Sequence, residues 1–339
     1  MRRRAFLLGA AGPVLLNSVA CSKRPRLNVY NWSDYVAPET IPNFEREFGI
    51  EVRYGTYESS QEMLAKVMSG NSGWDVVFPA HDFIEPMRKM GLLAALDHSR
   101  LPNLPNLAAE FQRPPWDPEL QWSIPYMWGV TGIAYQKALN PPVTRWHDLW
   151  DSRLAGKLTM LDDPGDVLGA ALKMLGYSVN SGDRAQLEAA RNALIDQKRL
   201  VRAYLNAEVR DQLAAGDVAA AQAWAVTAAQ AIQTAPDKLA FAFPEEGFAR
   251  FADTMAILRE SQRSASAHQF INYMLRPDVA EQIVLAEQTA TANGKSRALR
   301  DNHVLYPPAE ILARGEWDEP HTAEAQRLRD RIWTEIKSA

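Results

Sequence analysis

Four stretches of this chain carry residues able to bind or react, and their types converge on one chemistry. The first is Tyr30-Asn31-Trp32-Ser33-Asp34-Tyr35, where a short apolar run ends in an indole, small polar groups, a carboxylate and a phenol. Buried Trp and Tyr need partners for N–H and O–H, so this ending suits a core poorly. It suits an organic cation, which aromatic faces attract and a carboxylate neutralises. The same residues also read as a polar strand-to-helix loop in which Ser33 or Asp34 satisfies backbone N–H groups. The second stretch is Asp162-Asp163-Pro164-Gly165-Asp166. Asp163 fits a helix N-cap, Pro164 the first helical position and Asp166 the third, with no ligand required. A helix starting there follows a strand, however, and so begins at the carboxyl edge of a sheet, where open α/β folds bind ligands. The third is Trp224, after the small-residue run 218–223; a core or lid role explains it as well as a ligand contact. The fourth is Phe251-Ala252-Asp253, where strand periodicity puts a ring and an acid on one face. Its plain alternative is a buried ring beside a solvated acid.

Catalytic and metal patterns are scarce. Gly294-Lys295-Ser296 mimics the end of a phosphate-binding loop, but Thr289 stands where its first glycine belongs. Gly70-Asn71-Ser72-Gly73 lacks nucleophile-elbow spacing. The six histidines show no paired metal spacing, and only His81, beside Asp82, stands out. The sequence therefore assigns no catalytic residue, no metal and no cofactor.

The elements that must position these residues alternate. Strands are expected at 27–31, 50–54, 74–79, 157–161, 218–223, 239–243 and 252–258. Helix faces are marked by Met63, Leu64, Val67 and Met68, by Leu187, Ala190, Leu194 and Ile195, and by Ala267, Phe270, Ile271, Met274 and Leu275, the last stopped by Pro277. Such alternation predicts an α/β fold with helices packed on largely parallel sheets. The segment Ser123–Gly132 reads as an extended crossing, with 246–255 as a return. Prolines between 102 and 118 punctuate a loop-rich region.

The N-terminus reads as an export signal over residues 1–20. Arg2, Arg3 and Arg4 precede an apolar run, Ala5 to Leu16, too short to span a bilayer. Arg3-Arg4-Ala5-Phe6-Leu7 resembles a twin-arginine signal. Cys21, the single cysteine, follows Ser18-Val19-Ala20, which resembles a lipoprotein cleavage box, so Cys21 is expected to be lipidated. A lone cysteine excludes an internal disulfide and a cysteine metal cluster. Cleavage before it moves the formal charge from −4 to −7, which argues against nucleic acid. About 320 mature residues exceed one comfortable core, so two lobes are expected.

Taken in order, Tyr30-Asn31-Trp32-Ser33-Asp34-Tyr35-Val36, Thr56-Tyr57-Glu58-Ser59, Trp74-Asp75-Val76-Val77, Ser123-Ile124-Pro125-Tyr126-Met127-Trp128-Gly129, Leu275-Arg276-Pro277-Asp278-Val279-Ala280 and Gly315-Glu316-Trp317 resemble the periplasmic spermidine/putrescine-binding proteins of polyamine ABC transporters. The resemblance implies the type II periplasmic-binding-protein fold: two lobes, each a mixed sheet flanked by helices, with a ligand cleft between them. Lobe 1 is expected to comprise 26–131 and 252–297, and lobe 2 132–251 and 298–339. It implies no enzyme activity, capture of a linear polyamine, and delivery to a permease of the inner membrane. It places Trp32, Ser33 and Tyr35 at ring and hydroxyl contacts, Asp163 and Asp166 at two acidic positions, Trp224 at a stacking position, Phe251 at an aromatic one, and Asp253 at the carboxylate that pairs with an ammonium. Asp34 is expected at the rim. Three places depart: Ala80 and Asp82 replace a Ser and a Tyr, Thr289 an aromatic, and Asp318 a Gln. The cleft then loses aromatic cover and gains carboxylates, which keeps another organic cation or a modified polyamine open as ligand. An exported two-lobe hydrolase or lyase and a polyamine sensor are the competing roles. The mature protein is expected to be a monomer, touching the membrane only through a lipid on Cys21.

Overall fold

A computed structural model describes residues 24–33 and 35–339. The export signal, Cys21 and Asp34 lie outside the described residues. Eleven strands are present among those described: β1 Arg26–Trp32, β2 Glu51–Tyr57, β3 Val76–Val77, β4 Ile124–Gln136, β5 Leu158–Met160, β6 Val201–Tyr204, β7 Ala220–Trp224, β8 Leu239–Ala242, β9 Phe248–Ile257, β10 Ala290–Thr291 and β11 Gly315–Trp317. Their order is β2-β1-β3-β9-β4-β7-β5-β6, with β8 and β10 paired to β4 and β11 to β9. At one end β1 runs parallel to β2 and β3; at the other β5 runs parallel to β6 and β7. Between them β4 and β9 lie antiparallel. The α/β expectation holds, with two parallel groups joined by one antiparallel pair.

Parallel strands are covered on both faces, and the residues comply. In β1, Leu27 and Val29 are buried on one side while Tyr30 stacks on Trp74, ring centres 4.7 Å apart, on the other. The helices bury most of each face read from the sequence, although Leu64 and Ile195 are only partly buried and Met68 is exposed. Met63 and Val67 of the helix Ser60–Met68 are inside, as are Leu187, Ala190 and Leu194 of Arg184–Gln197, and Ala267, Phe270, Ile271 and Met274 of Ser264–Met274. Pro277 does more than stop the last of these: it opens a further helix, Pro277–Glu287, at the position where its missing N–H costs nothing. The strand expected at 74–79 shrinks to Val76–Val77. Asp75 and Pro79 on either side still bond to its two neighbours, Asp75 with the N–H of Asn28 in β1 and Pro79 through its carbonyl to Thr254 in β9, but outside the regular ladder. Beyond the expected set are β6, β10 and β11, too short and mixed to show a period.

The long strand β4 explains how the groups are joined. Its first half, Ile124 to Val130, pairs with β9; from Thr131 to Tyr135 it pairs with β7, and from Ile133 to Gln136 with β8 on its other edge. Gly129 lies under the ring of Phe251, whose Cζ would be 2.6 Å from an added Cβ, and a Cβ at Gly132 would meet the Ala242 carbonyl at 2.6 Å. The two glycines read as bend or close-approach positions are close approaches. No helix among the described residues is long and apolar enough to cross a membrane. Because the Ala242 carbonyl cannot retreat without breaking the β4–β8 pairing, Gly132→Ala should destabilise the protein by about 1–3 kcal/mol. Urea unfolding checks this; an unchanged midpoint would show that β8 can shift freely.

Candidate functional site

Four site segments leave the carboxyl ends of parallel strands. β1 ends at Trp32, and β3 leads through Ala80 to the turn His81–Phe83. β5 leads to Asp163, and β7 ends at Trp224. The β4–β9 pair between the two parallel groups supplies Phe251 and Asp253. Asp318 follows β11 directly, its N–H bonded to the Arg250 carbonyl at 3.1 Å. This is the edge at which α/β sheets bind ligands.

Each acid is held in place. Asp253 is only 4 % exposed and accepts the Tyr35 hydroxyl at 2.7 Å. The Trp32 indole N–H donates to the Phe78 carbonyl at 2.9 Å and also lies near enough to Asp253 to help hold its charge. The Tyr126 hydroxyl donates to the Tyr35 carbonyl at 2.5 Å. Across the cleft, Asp163 caps the helix Pro164–Met174, its carboxylate accepting the Asp166 N–H at 3.0 Å. Asp166 takes the Thr131 hydroxyl at 2.5 Å and the Trp224 indole N–H at 2.8 Å. The capping and ligand readings of this stretch thus coexist in one geometry.

The electrostatics are uniform. Burial, then the Asp163 charge, raises Asp166 to about 7. Burial, with the Asp163 charge opposing its backbone hydrogen bonds, raises Asp82 to about 7. Burial raises Asp253 to about 7, with Asp82 adding to it against the Tyr35 and Trp32 donors. Burial also raises Asp163, and it lifts Asp318 well above the carboxylate range, aided by Asp166, Asp82 and Asp163. These five acids repel one another across the cleft, and none has a salt-bridge partner among the described residues; neighbouring Asp162, by contrast, is paired with Lys337 at 2.7 Å. The cation that bears most on Asp318, Arg329, spends its guanidinium on the Val179 and Ser181 carbonyls at 2.6 and 2.9 Å. Nor do the acids converge: no group of His, Cys, Asp or Glu among the described residues could hold a metal ion. Spread negative charge between aromatic walls suits an extended organic cation.

The expected residues mostly meet here. Trp32, Tyr35, Asp82, Asp163, Asp166, Trp224, Phe251, Asp253 and Asp318 belong to the segments that form the cleft. Tyr35 differs in role, because its hydroxyl is engaged by Asp253. Ser33 donates to the exposed Glu58 at 2.5 Å, at the outer side of the loop. Thr289 is buried between the helix Pro277–Glu287 and β10. The solvated-acid reading of Asp253 is overturned by its burial. Thr131 and Tyr126 join the site without a motif to mark them; hydroxyls in an otherwise apolar crossing segment are the available signal. Two other hollows, of about 320 and 480 Å³, lie by Tyr273 and Arg276 and by Leu101 and Leu120. In the first, Arg276 is already paired with Glu47 and Asp278, and the second is mainly apolar.

Residues 39–302 match the family of bacterial extracellular solute-binding proteins. The putrescine-binding periplasmic protein PotF of Escherichia coli is 33 % identical, over 98 % of this chain and 96 % of its own length. A spermidine/putrescine-binding periplasmic protein of the same organism is 36 % identical, over 94 % of each. Among solved structures, the spermidine/putrescine ABC transporter substrate-binding protein PotD of Streptococcus pneumoniae superposes with a TM-score of 0.81 at 29 % identity, covering 93 % of this chain and 99 % of that one. The Tp0655 (TpPotD) lipoprotein of Treponema pallidum does so with a TM-score of 0.83 at 27 % identity, covering 92 % and 99 %.

A pH dependence follows from the raised acids. Asp82, Asp166 and Asp253 keep their protons up to about pH 7 when folded, but ionise near pH 4 when unfolded. The folded state holds more protons between these limits, so stability falls as pH rises through that window. The Tm of the dialysed protein should drop from pH 5 to pH 8, and Asp253→Asn should flatten the slope. A Tm that rises steadily over the window would contradict the assignment.

Proposed function

Because the chain belongs to the bacterial extracellular solute-binding protein family, and so acts as a binding subunit of an ABC importer rather than an enzyme, we propose that its solute is a linear polyamine such as spermidine or putrescine. The observation that carries this reading is the set of five acids raised by burial, none of them in a salt bridge among the described residues. The names of the relatives support it: they bind putrescine or spermidine. A linear polyamine is charged at its ends and apolar between, matching carboxylates spaced along a cleft with flat rings for the methylenes.

The energies suffice. Each charge-assisted hydrogen bond is worth about 1.5–3 kcal/mol and each cation–π contact about 0.5–2 kcal/mol. Micromolar binding needs about 8 kcal/mol net. Two or three paired ammoniums with Trp32, Trp224 and Phe251 reach that figure after ordering costs. The lobes of this reading are 26–131 with 252–297 and 132–251 with 298–339, hinged at β4 and β9. They close over the ligand, and the closed form is what the inner-membrane permease recognises. The protein works as a periplasmic monomer, exported by the twin-arginine route and anchored by a lipid on Cys21.

A second reading, another organic cation or a modified polyamine, is favoured by Asp82 and Asp318. A thermal-shift panel of putrescine, spermidine, agmatine and amino acids separates the two. For the site itself, Asp253→Asn should weaken polyamine binding at least about tenfold, the loss of one charge-assisted bond. Calorimetry showing unchanged affinity would count against this site. For the anchor, Cys21→Ser should move the protein from the membrane fraction to the soluble periplasmic fraction; retention on the membrane would remove the lipid from the account.

A further inference from the structure

His81 has no part in the site as described, yet it touches much of it. It is 2 % exposed, with Trp116 and Trp317 rings 4.5 and 5.5 Å away. Its Nδ1 accepts the Ala252 N–H at 3.2 Å. A neutral ring with one accepting nitrogen carries its proton on the other, so Nε2–H donates to the Asp318 carbonyl at 2.8 Å. Burial keeps the ring neutral, lowering it to about 4. One imidazole therefore ties three acid-bearing segments together. Asp82 is the next residue, Asp253 follows Ala252, and Asp318 supplies the carbonyl.

The acids so tied are not alike. Asp253 has Tyr35, Asp166 has Thr131 and Trp224, and Asp163 has its helix start. Among the described residues no side-chain donor reaches the carboxylate of Asp82, which has only the backbone N–H groups of its own turn, or that of Asp318, on which the Asp82 charge bears. We propose that Asp82 and Asp318, held together by His81, form a subsite for a third positive charge, so that the protein selects tri- and tetraamines over diamines. The inference rests on the polyamine reading. Charge counting carries it. The two ends of a diamine are met by Asp253 and by the Asp163–Asp166 pair on the facing edge. Two acids then remain in poorly solvated surroundings, with Arg329 bearing on Asp318 but bonded to the Val179 and Ser181 carbonyls; such groups either keep a proton or take a cation in its place. An ammonium in the middle of a longer amine supplies that cation. His81 is a positioning residue: it sets the spacing of the subsite through its two hydrogen bonds.

Calorimetry on the mature chain with putrescine, spermidine and spermine tests this. Spermidine and spermine should bind about tenfold or more tighter than putrescine, the worth of one charge-assisted bond. The double variant Asp82→Asn, Asp318→Asn should shrink the spermidine-to-putrescine affinity ratio by about the same factor, and His81→Ala should shrink it too. A general structural loss lowers both affinities and leaves the ratio alone, so the ratio isolates positioning. If His81→Ala does not fold, the double variant, which removes charge and keeps volume, still decides. Equal affinity for putrescine and spermidine, or an unchanged ratio in the double variant, overturns the third-charge subsite and leaves the polyamine reading standing. Binding of no amine at all overturns both.

Discussion

Five carboxylates drawn together out of bulk water, none of them salt-bridged among the described residues, are the constraint on which this molecule turns. Burial raises Asp82, Asp163, Asp166, Asp253 and Asp318 together, and repulsion within the set adds to it at Asp82, Asp166, Asp253 and Asp318. A structure selected for stability alone would pair such groups or replace them with apolar ones. Elsewhere this protein does pair them: Asp75 meets Arg263 at 3.3 Å, and Glu316 meets Lys173 at 2.6 Å. Asp117, buried elsewhere without a salt bridge, is met instead by the Gln121, Trp122 and Ser123 N–H groups; for the acids around Asp253 and Asp166 the proposed partner is a cationic ligand.

Holding like charges together demands a frame that cannot relax. Every acid in the cleft sits on a regular element or directly after one. Asp253 lies within a strand paired on both sides, and Asp163 and Asp166 share a helix start. Asp318 is tied through its backbone to Arg250 and His81. The rings serve the same end. Tyr35 is bound at its hydroxyl by Asp253 and at its carbonyl by Tyr126. Trp32 is bound by Phe78 and packs 4.7 Å from Tyr57. The glycines of β4 let Phe251 and Phe241 pack close against the crossing strand. The joint between the two strand groups and the floor of the cleft are therefore the same structure.

That economy has a dynamic consequence. β4 changes partners between Val130 and Thr131, and β9 meets β3 at one end and β11 at the other. Any rotation of one parallel group against the other must bend these two strands. In the proposed function the hinge and the acids move as one, so that the charge of a ligand bears on closure.

Much of this was legible in one sequence, because the signals were local. Apolar periods gave the helix faces, and Asp163-Pro164 with Asp166 marked a helix start. Trp32 and Tyr35 ended a strand in residues that need partners. The strand–helix alternation gave the fold class, and it also implied that these residues sit at carboxyl edges. What local pattern could not supply was partnership between distant segments. Asp253 reads equally well as a solvated acid until β3, β4 and β9 enclose it. His81 is an ordinary histidine until Ala252 and Asp318, some 171 and 237 residues away, are brought to its two nitrogens. The sequence by itself determined which residues carry charge, rings and capping chemistry, since those are properties of side chains and their near neighbours. Only the tertiary structure decided which charges go uncompensated, because desolvation and repulsion depend on what the fold places around a group.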